Sequence, residues 1–159
     1  MAILNGLNYA KSQAFPIEKT DPSEVDTRVK CVSEKYDMST LGVVLANGDE
    51  ILGPFIPEGA KIVDAAIKID TSMGASGILD MGLKAFTNKA GTALVEDQNA
   101  LVNQADAGGQ AVFKRSLAGD VGIGQQVGLG GAQIFAKCTE ASTTTNNIIE
   151  MFVFYMLES

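Results

Sequence analysis

Apolar and polar residues alternate along much of this chain, and the clearest run follows the turn-forming tripeptide Pro57-Glu58-Gly59. Beyond it Val63, Ala65, Ile67 and Ile69 fall on one side of an extended backbone and Asp64, Ala66, Lys68 and Asp70 on the other. That is the signature of a strand with one side committed to a core. Pro57 restricts φ and Gly59 tolerates positive φ, so the tripeptide predicts a corner that feeds directly into the strand. After the small-residue loop Thr71 to Gly77, the residues Ile78, Asp80, Gly82 and Lys84 alternate with Leu79, Met81, Leu83 and Ala85. These two strands are expected to pair across the loop as a hairpin. Near the C-terminus Ile149, Met151, Val153, Tyr155 and Leu157 share one face, while Ile148, Glu150, Phe152, Phe154 and Met156 share the other. Both faces are largely apolar, which predicts a strand covered on both sides, with Phe152 and Phe154 lying under a loop, the N-terminal segment or another subunit.

Other segments are less regular. In DPSEVDTRVKCVSEKY, Asp21 and Pro22 offer a helix start, but Val25, Thr27, Val29 and Cys31 alternate with Asp26, Arg28, Lys30 and Val32, and the strand reading suits the β-rich surroundings better. Asn47-Gly48 marks a tight hairpin or a bend between Val43 to Leu45 and Ile51 to Leu52. VEDQNALVNQADAG is rich in good helix formers and ends at Gly108-Gly109, so a short helix is predicted there. AVFKRSL reads as a short strand. Residues 1–22 keep neither period for long, yet Ile3, Leu4, Leu7, Tyr9, Phe15 and Ile17 are apolar enough to predict an extended arm buried across the domain or a neighbouring subunit. The chain thus divides into an extended N-terminal arm, 1–22, and a β domain, 23–159. Seven or eight short strands at fairly even spacing predict an all-β antiparallel sandwich or barrel-like sheet pair with one short helix.

Composition narrows the function. The 159 residues suffice for one self-supporting core. A net charge of -7, with no basic cluster, argues against a nucleic-acid partner. Neither terminal region has the length of apolar sequence for a membrane span or the layout of a signal peptide, so the chain is expected to be soluble. There is no histidine, which removes the commonest general base at neutral pH and the commonest metal ligand. The two cysteines, Cys31 and Cys138, read as separate reduced thiols.

Candidate chemistry is sparse. Gly122 to Gly128, GIGQQVG, superficially suggests a phosphate loop, but its third glycine falls one residue late for the dinucleotide fingerprint and no helix follows, so turns or bulges are expected. Carboxylates could act as an acid and base pair or bind calcium: Glu96 with Asp97, Asp64 with Asp70, Asp80, or the Asn47 to Glu50 run NGDE. None of these has the spacing of a known site. The polar loop Thr139 to Asn147 could contact glycans or peptide backbone, although the chain has no Trp and few Tyr for sugar stacking. The expectation is a protein without enzymatic activity, cofactor or metal.

The succession of GPFIPEGAKIVDAAIKID, a small-residue loop, GILDMGLKA, DQNALVNQADAGG and a closing apolar strand resembles a group of small virion proteins of tailed bacteriophages. The resemblance spans about residues 25–157 and is carried best by PEGAKI and LDMGL; the stretch before Val25 is additional. It implies a jelly-roll-like β-sandwich that decorates or cements the capsid, or serves in a head fibre, and gives Gly53, Pro57, Gly59, Ala60, Ile62, Leu79 and Gly82 architectural roles. It also implies the major capsid protein and further copies of the same chain as partners, a trimer being favoured over a dimer. The place implied is the outer surface of the virion capsid, after synthesis in the host cytoplasm. The candidate interface residues are Ile3, Leu4, Leu7, Tyr9, Phe15 and Ile17 of the arm, Pro57 and Glu58 of the corner, and Phe152 and Phe154 of the terminal strand. The alternative function is a receptor- or carbohydrate-binding module of a fibre or tail, with Thr139 to Asn147 or Thr71 to Gly77 at its tip.

Overall fold

A computed structural model describes the backbone of residues 3–5 and then residues 29–71, 73, 77–108, 111–140 and 146–157. The described strands are β1 (Ile3–Asn5), β2 (Lys30–Asp37), β3 (Glu50–Ile56), β4 (Ala60–Ile69), β5 (Ile78–Leu83), β6 (Phe86–Thr87), β7 (Ala93–Leu94), β8 (Asp97–Asp106), β9 (Val112–Arg115), β10 (Ala132–Cys138) and β11 (Ile148–Leu157), with one helix, α1 (Met38–Leu41). They form a five-stranded sheet, β1-β3-β10-β5-β8, facing a four-stranded sheet, β2-β11-β4-β9, with β6 and β7 as a separate small ribbon. Pairing is antiparallel throughout except between β1 and β3. The core lies between the two larger sheets and joins Ile51, Ile56, Leu79, Met81, Ile134 and Ala136 from one to Tyr36, Ile62, Ile67, Ile69, Met151 and Val153 from the other. This is the all-β antiparallel sandwich that the strand pattern predicts, and it is consistent with the jelly-roll-like form that the resemblance implies.

The Pro57-Glu58-Gly59 tripeptide is a corner between sheets: β3 ends in one sheet and β4 begins in the other. Gly59 has φ +80°, where a side chain would be strained, and its N–H donates to the Val127 carbonyl at 2.9 Å. The Val127 N–H in turn donates to the Ala60 carbonyl at 2.8 Å, so the glycine-rich segment closes over the start of β4. Its backbone is consumed by such bonds. At Gly128 an added Cβ would lie 2.4 Å from the Asn88 carbonyl oxygen, a close approach that only glycine permits. Turns and bridges account for GIGQQVG, and no helix follows it.

Several expectations are corrected. Asp97 to Asp106 is a strand, β8, rather than a helix, and the short helix is instead α1, where the Asp37 carboxylate caps the Ser39 and Thr40 N–H groups. Pairing with β5 overrides the helix propensity of β8, and two register shifts bury Ala100, Leu101 and Val102 in succession and then Ala105, a spacing that imitates a helical face. β4 and β5 do not form a hairpin: they lie in different sheets, since β11 and β9 flank β4 while β10 and β8 flank β5. Of the two forms expected at Asn47-Gly48, the bend is the one present, because residues 43–46 are not a strand and the Gly48 N–H donates to the Cys138 carbonyl of β10 at 2.7 Å. The strand reading of the region before Tyr36 is right from Lys30 onward, but its faces are reversed. Val29 and Cys31 are exposed, whereas Glu34 and Tyr36 are buried; Val25 and Thr27 lie outside the described residues. Cys31 and Cys138 are not joined in a disulfide.

Candidate interaction surfaces

On the outer face of the four-stranded sheet, a groove of about 470 Å³ is lined by Val29, Val63, Asp64, Ala66, Phe113, Arg115 and Phe154. A bulge creates its floor. Register slips between β4 and β11 so that Phe154 lies opposite Asp64 and Tyr155 opposite Ile62. Ala60 and Ile62 therefore point inward before the bulge and Ala65, Ile67 and Ile69 after it, while Val63, expected in the core, is turned outward. Phe113 remains 59% exposed and Val29 56% exposed. Among the described residues these large apolar groups lie outside the core, which makes the groove a candidate contact surface.

The polar wall of the groove is built around Asp64. Its carboxylate accepts from the Ala65 N–H at 2.8 Å, from the Ser116 hydroxyl at 2.7 Å and from the Arg115 guanidinium. Partial burial alone would raise its pKa, but these donors outweigh that and hold it below the usual aspartate value. Arg115 is thereby fixed beside Phe113 on β9. At the other end of the same face, Lys68 joins Asp70 at 2.7 Å and Glu150 at 3.7 Å, so that end is charged and internally paired.

The outer face of the five-stranded sheet is different. Glu50, 1% exposed, accepts from Lys84 at 2.5 Å and lies 3.6 Å from Lys137, and Lys84 also reaches Glu96 at 2.9 Å. The Lys84 ammonium sits 4.1 Å from the centre of the fully buried Phe135 ring. Burial works against the charge of Lys84, yet its bonds to Glu50 and Glu96 raise its pKa above the ordinary lysine value. Nearby, buried Asp80 accepts from the Gln104 N–H at 2.6 Å and holds that residue at φ +54° in a bulge of β8.

The proposed carboxylate pairs are thus separated into structural roles. Asp64 and Asp70 serve different ion pairs, Glu96 belongs to the Lys84 cluster, Asp97 accepts from the Asn99 N–H, and Asp49 accepts from the Ala46 N–H. Among the described residues no three His, Cys, Asp or Glu side chains are grouped so as to hold a metal ion. No helix among them is long and apolar enough to cross a membrane.

Of the predicted interface residues, Phe152 and Phe154 occupy the outer face of β11, half-buried, and Phe154 enters the groove. Pro57 is half-buried and Glu58 exposed at the corner, before the part of β4 that lines the groove. Ile3 and Leu4 contribute backbone to β1, while Leu7, Tyr9, Phe15 and Ile17 lie outside the described residues, as do Thr143 to Thr145 of the polar loop. Sequence reading missed Phe113 and placed Val29 and Val63 on inward faces. The period-2 pattern gave no sign of the bulge, although Phe113 between Val112 and Lys114 was an available hint of an outward aromatic.

The two-sheet sandwich has counterparts among solved structures of bacteriophage capsids. The chain superposes on a chain of the capsid of Ralstonia phage GP4 with a TM-score of 0.69 and 16% identity, covering 99% of each chain. A chain of the cyanophage Pam1 capsid asymmetric unit matches with a TM-score of 0.52 and 13% identity, over 92% of this chain and 96% of that one. At such identities the likeness is one of fold. No family model and no curated protein sequence matches the chain.

Proposed function

We propose that the protein is a non-enzymatic structural component of a bacteriophage virion that decorates or cements the capsid, bridging major capsid subunits on the outer surface as a homo-oligomer, a trimer rather than a dimer. The observation that carries this reading is the likeness in fold to a chain of a phage capsid over 99% of both chains. The open face supports it. A small number of buried aromatic anchors supplies most of the affinity of a protein interface, and Phe113 and Phe154 are suited to that role beside the oriented Arg115. The net charge of -7 favours basic partner surfaces and disfavours the packaged nucleic acid. In this reading residues 1–22 are the assembly arm, 23–159 the sandwich that it tethers, and the Pro57-Glu58 corner a secondary contact.

Electron microscopy of the assembled particle tests the proposal, because copy number and position separate the shell from fibre and tail. The expected result is density for the sandwich repeated over the outer shell, with the β9 and β11 face against the major capsid protein. Density confined to a fibre or tail would overturn it. So would particles that lose host adsorption, but no stability, when the protein is removed.

A further inference from the structure

The free edge of β3 holds a second device. β1 is added in parallel along it, with Ile3 opposite Glu50, Leu4 opposite Ile51 and Asn5 opposite Leu52. Pairing stops there for reasons built into β3. The Leu52 carbonyl is taken by the Tyr36 hydroxyl at 2.6 Å, and Pro54 has no N–H to give to a further rung; the Gly53 carbonyl is spent on the other side of β3, where it accepts from the Gln133 side-chain amide of β10 at 2.8 Å. Opposite these residues β10 slips its register between Gln133 and Phe135. The edge is therefore blunted at Pro54 and accepts a strand over Glu50 to Leu52, a window matched in length by β1. Natural sheets blunt exposed edges with proline and bulges; here the blunting is partial and leaves a slot.

Backbone pairing of this kind does not discriminate between a strand of the same chain and the identical strand of another copy. Residues 6–29 separate β1 from β2. Fully extended, a connection of that length spans on the order of 80 Å, several times the radius of gyration of about 15 Å typical of a domain of this size. We propose that the Glu50–Leu52 edge is an acceptor slot for the Ile3–Asn5 strand of a second copy, so that neighbouring molecules are linked by exchanged strands. This goes beyond attachment to a capsid, since it concerns contacts between copies, and it is testable in the absence of shells.

The experiment uses full-length protein with the exposed Cys31 replaced by serine, leaving buried Cys138. Two single variants, Asn5→Cys and Leu52→Cys, one carrying a mass tag, are mixed and treated with a short thiol-reactive cross-linker, and the double variant carrying both substitutions is treated alone in parallel. The expected result is a tagged-to-untagged product whose linked peptides join positions 5 and 52, in at least ten-fold excess over mixtures in which either partner lacks its new cysteine. Persistence of the 5-to-52 link only within one chain of the double variant, with none in the mixture, would overturn the exchange. Absence of the link in both samples would overturn the slot itself. Neither result bears on whether the sandwich binds a capsid, which the particle images decide.

Discussion

The two outward faces of the sandwich solve the same problem in opposite ways. Both sheets carry aromatic residues on the side away from the core: Phe135 on the five-stranded sheet, Phe113 and Phe154 on the four-stranded one. Phe135 is fully covered, with Lys84 over its ring and Glu50, Glu96 and Lys137 around that lysine. Phe113 is left 59% exposed beside an arginine held by Asp64. A face that neutralises and covers its own groups has little left to offer a partner. The face that leaves them uncovered is the one to which binding is assigned in the proposal above, and the contrast sets where substitutions should affect stability and where they should affect attachment.

The largest effect is expected on the sealed side. Glu50→Ala leaves Lys84 and Lys137 without their shared buried carboxylate, and loss of one partner of a buried ion pair costs about 3 kcal/mol or more. Thermal unfolding should show a fall of roughly 6–12 °C for a chain of this size, with wild-type affinity for shells under conditions where the variant stays folded. On the open side the order reverses. Replacing Phe113 with serine should leave the melting temperature nearly unchanged and weaken shell binding by about 30-fold, as expected of an interface anchor worth about 2 kcal/mol. Cosedimentation with shells lacking the protein measures it, and equal losses of stability in the two variants would erase the distinction between the faces.

A smaller effect follows from the groove wall. The folded-state pKa of Asp64 is depressed, so its contribution to stability is fully present above its unfolded value of about 3.8 and is lost as pH falls through the lower folded value. Wild type and Asp64→Asn should therefore differ in melting temperature at neutral pH and converge in strong acid. Screening at this partly exposed site keeps the difference modest. The smallest change is expected at the corner. Glu58→Ala should alter stability by less than about 0.5 kcal/mol, so any loss of shell binding would identify the corner as a second contact.

Much of the fold was legible because the local pattern and the tertiary environment agree. β11 alternates without interruption, and its buried residues Ile149, Met151, Val153 and Tyr155 are the ones that parity selects. The turn at Pro57 to Gly59 follows from the conformations those residues favour, although its role in changing sheets does not. Sequence failed where an extra residue breaks parity. At Val63 a bulge turns a valine from core to surface, and in β8 two shifts make a strand resemble a helix. The charged cluster was out of reach for another reason: Glu50, Lys84, Glu96 and Lys137 are dispersed along the chain and meet only once the five-stranded sheet is assembled.

β2 and β11, the first and last strands of the four-stranded sheet along the chain, are antiparallel neighbours with Lys30 opposite Tyr155. A tensile load applied through Val29 and Leu157 would therefore peel this pair apart like a zipper, one rung at a time. A load between Val29 and Asp70, at the far end of β4, has no such path, since β2 must slide along β11 while β11 is held by β4 on its other side. The domain should be mechanically anisotropic, yielding when pulled through Val29 and Leu157 and stiff when pulled from Val29 against the far end of β4.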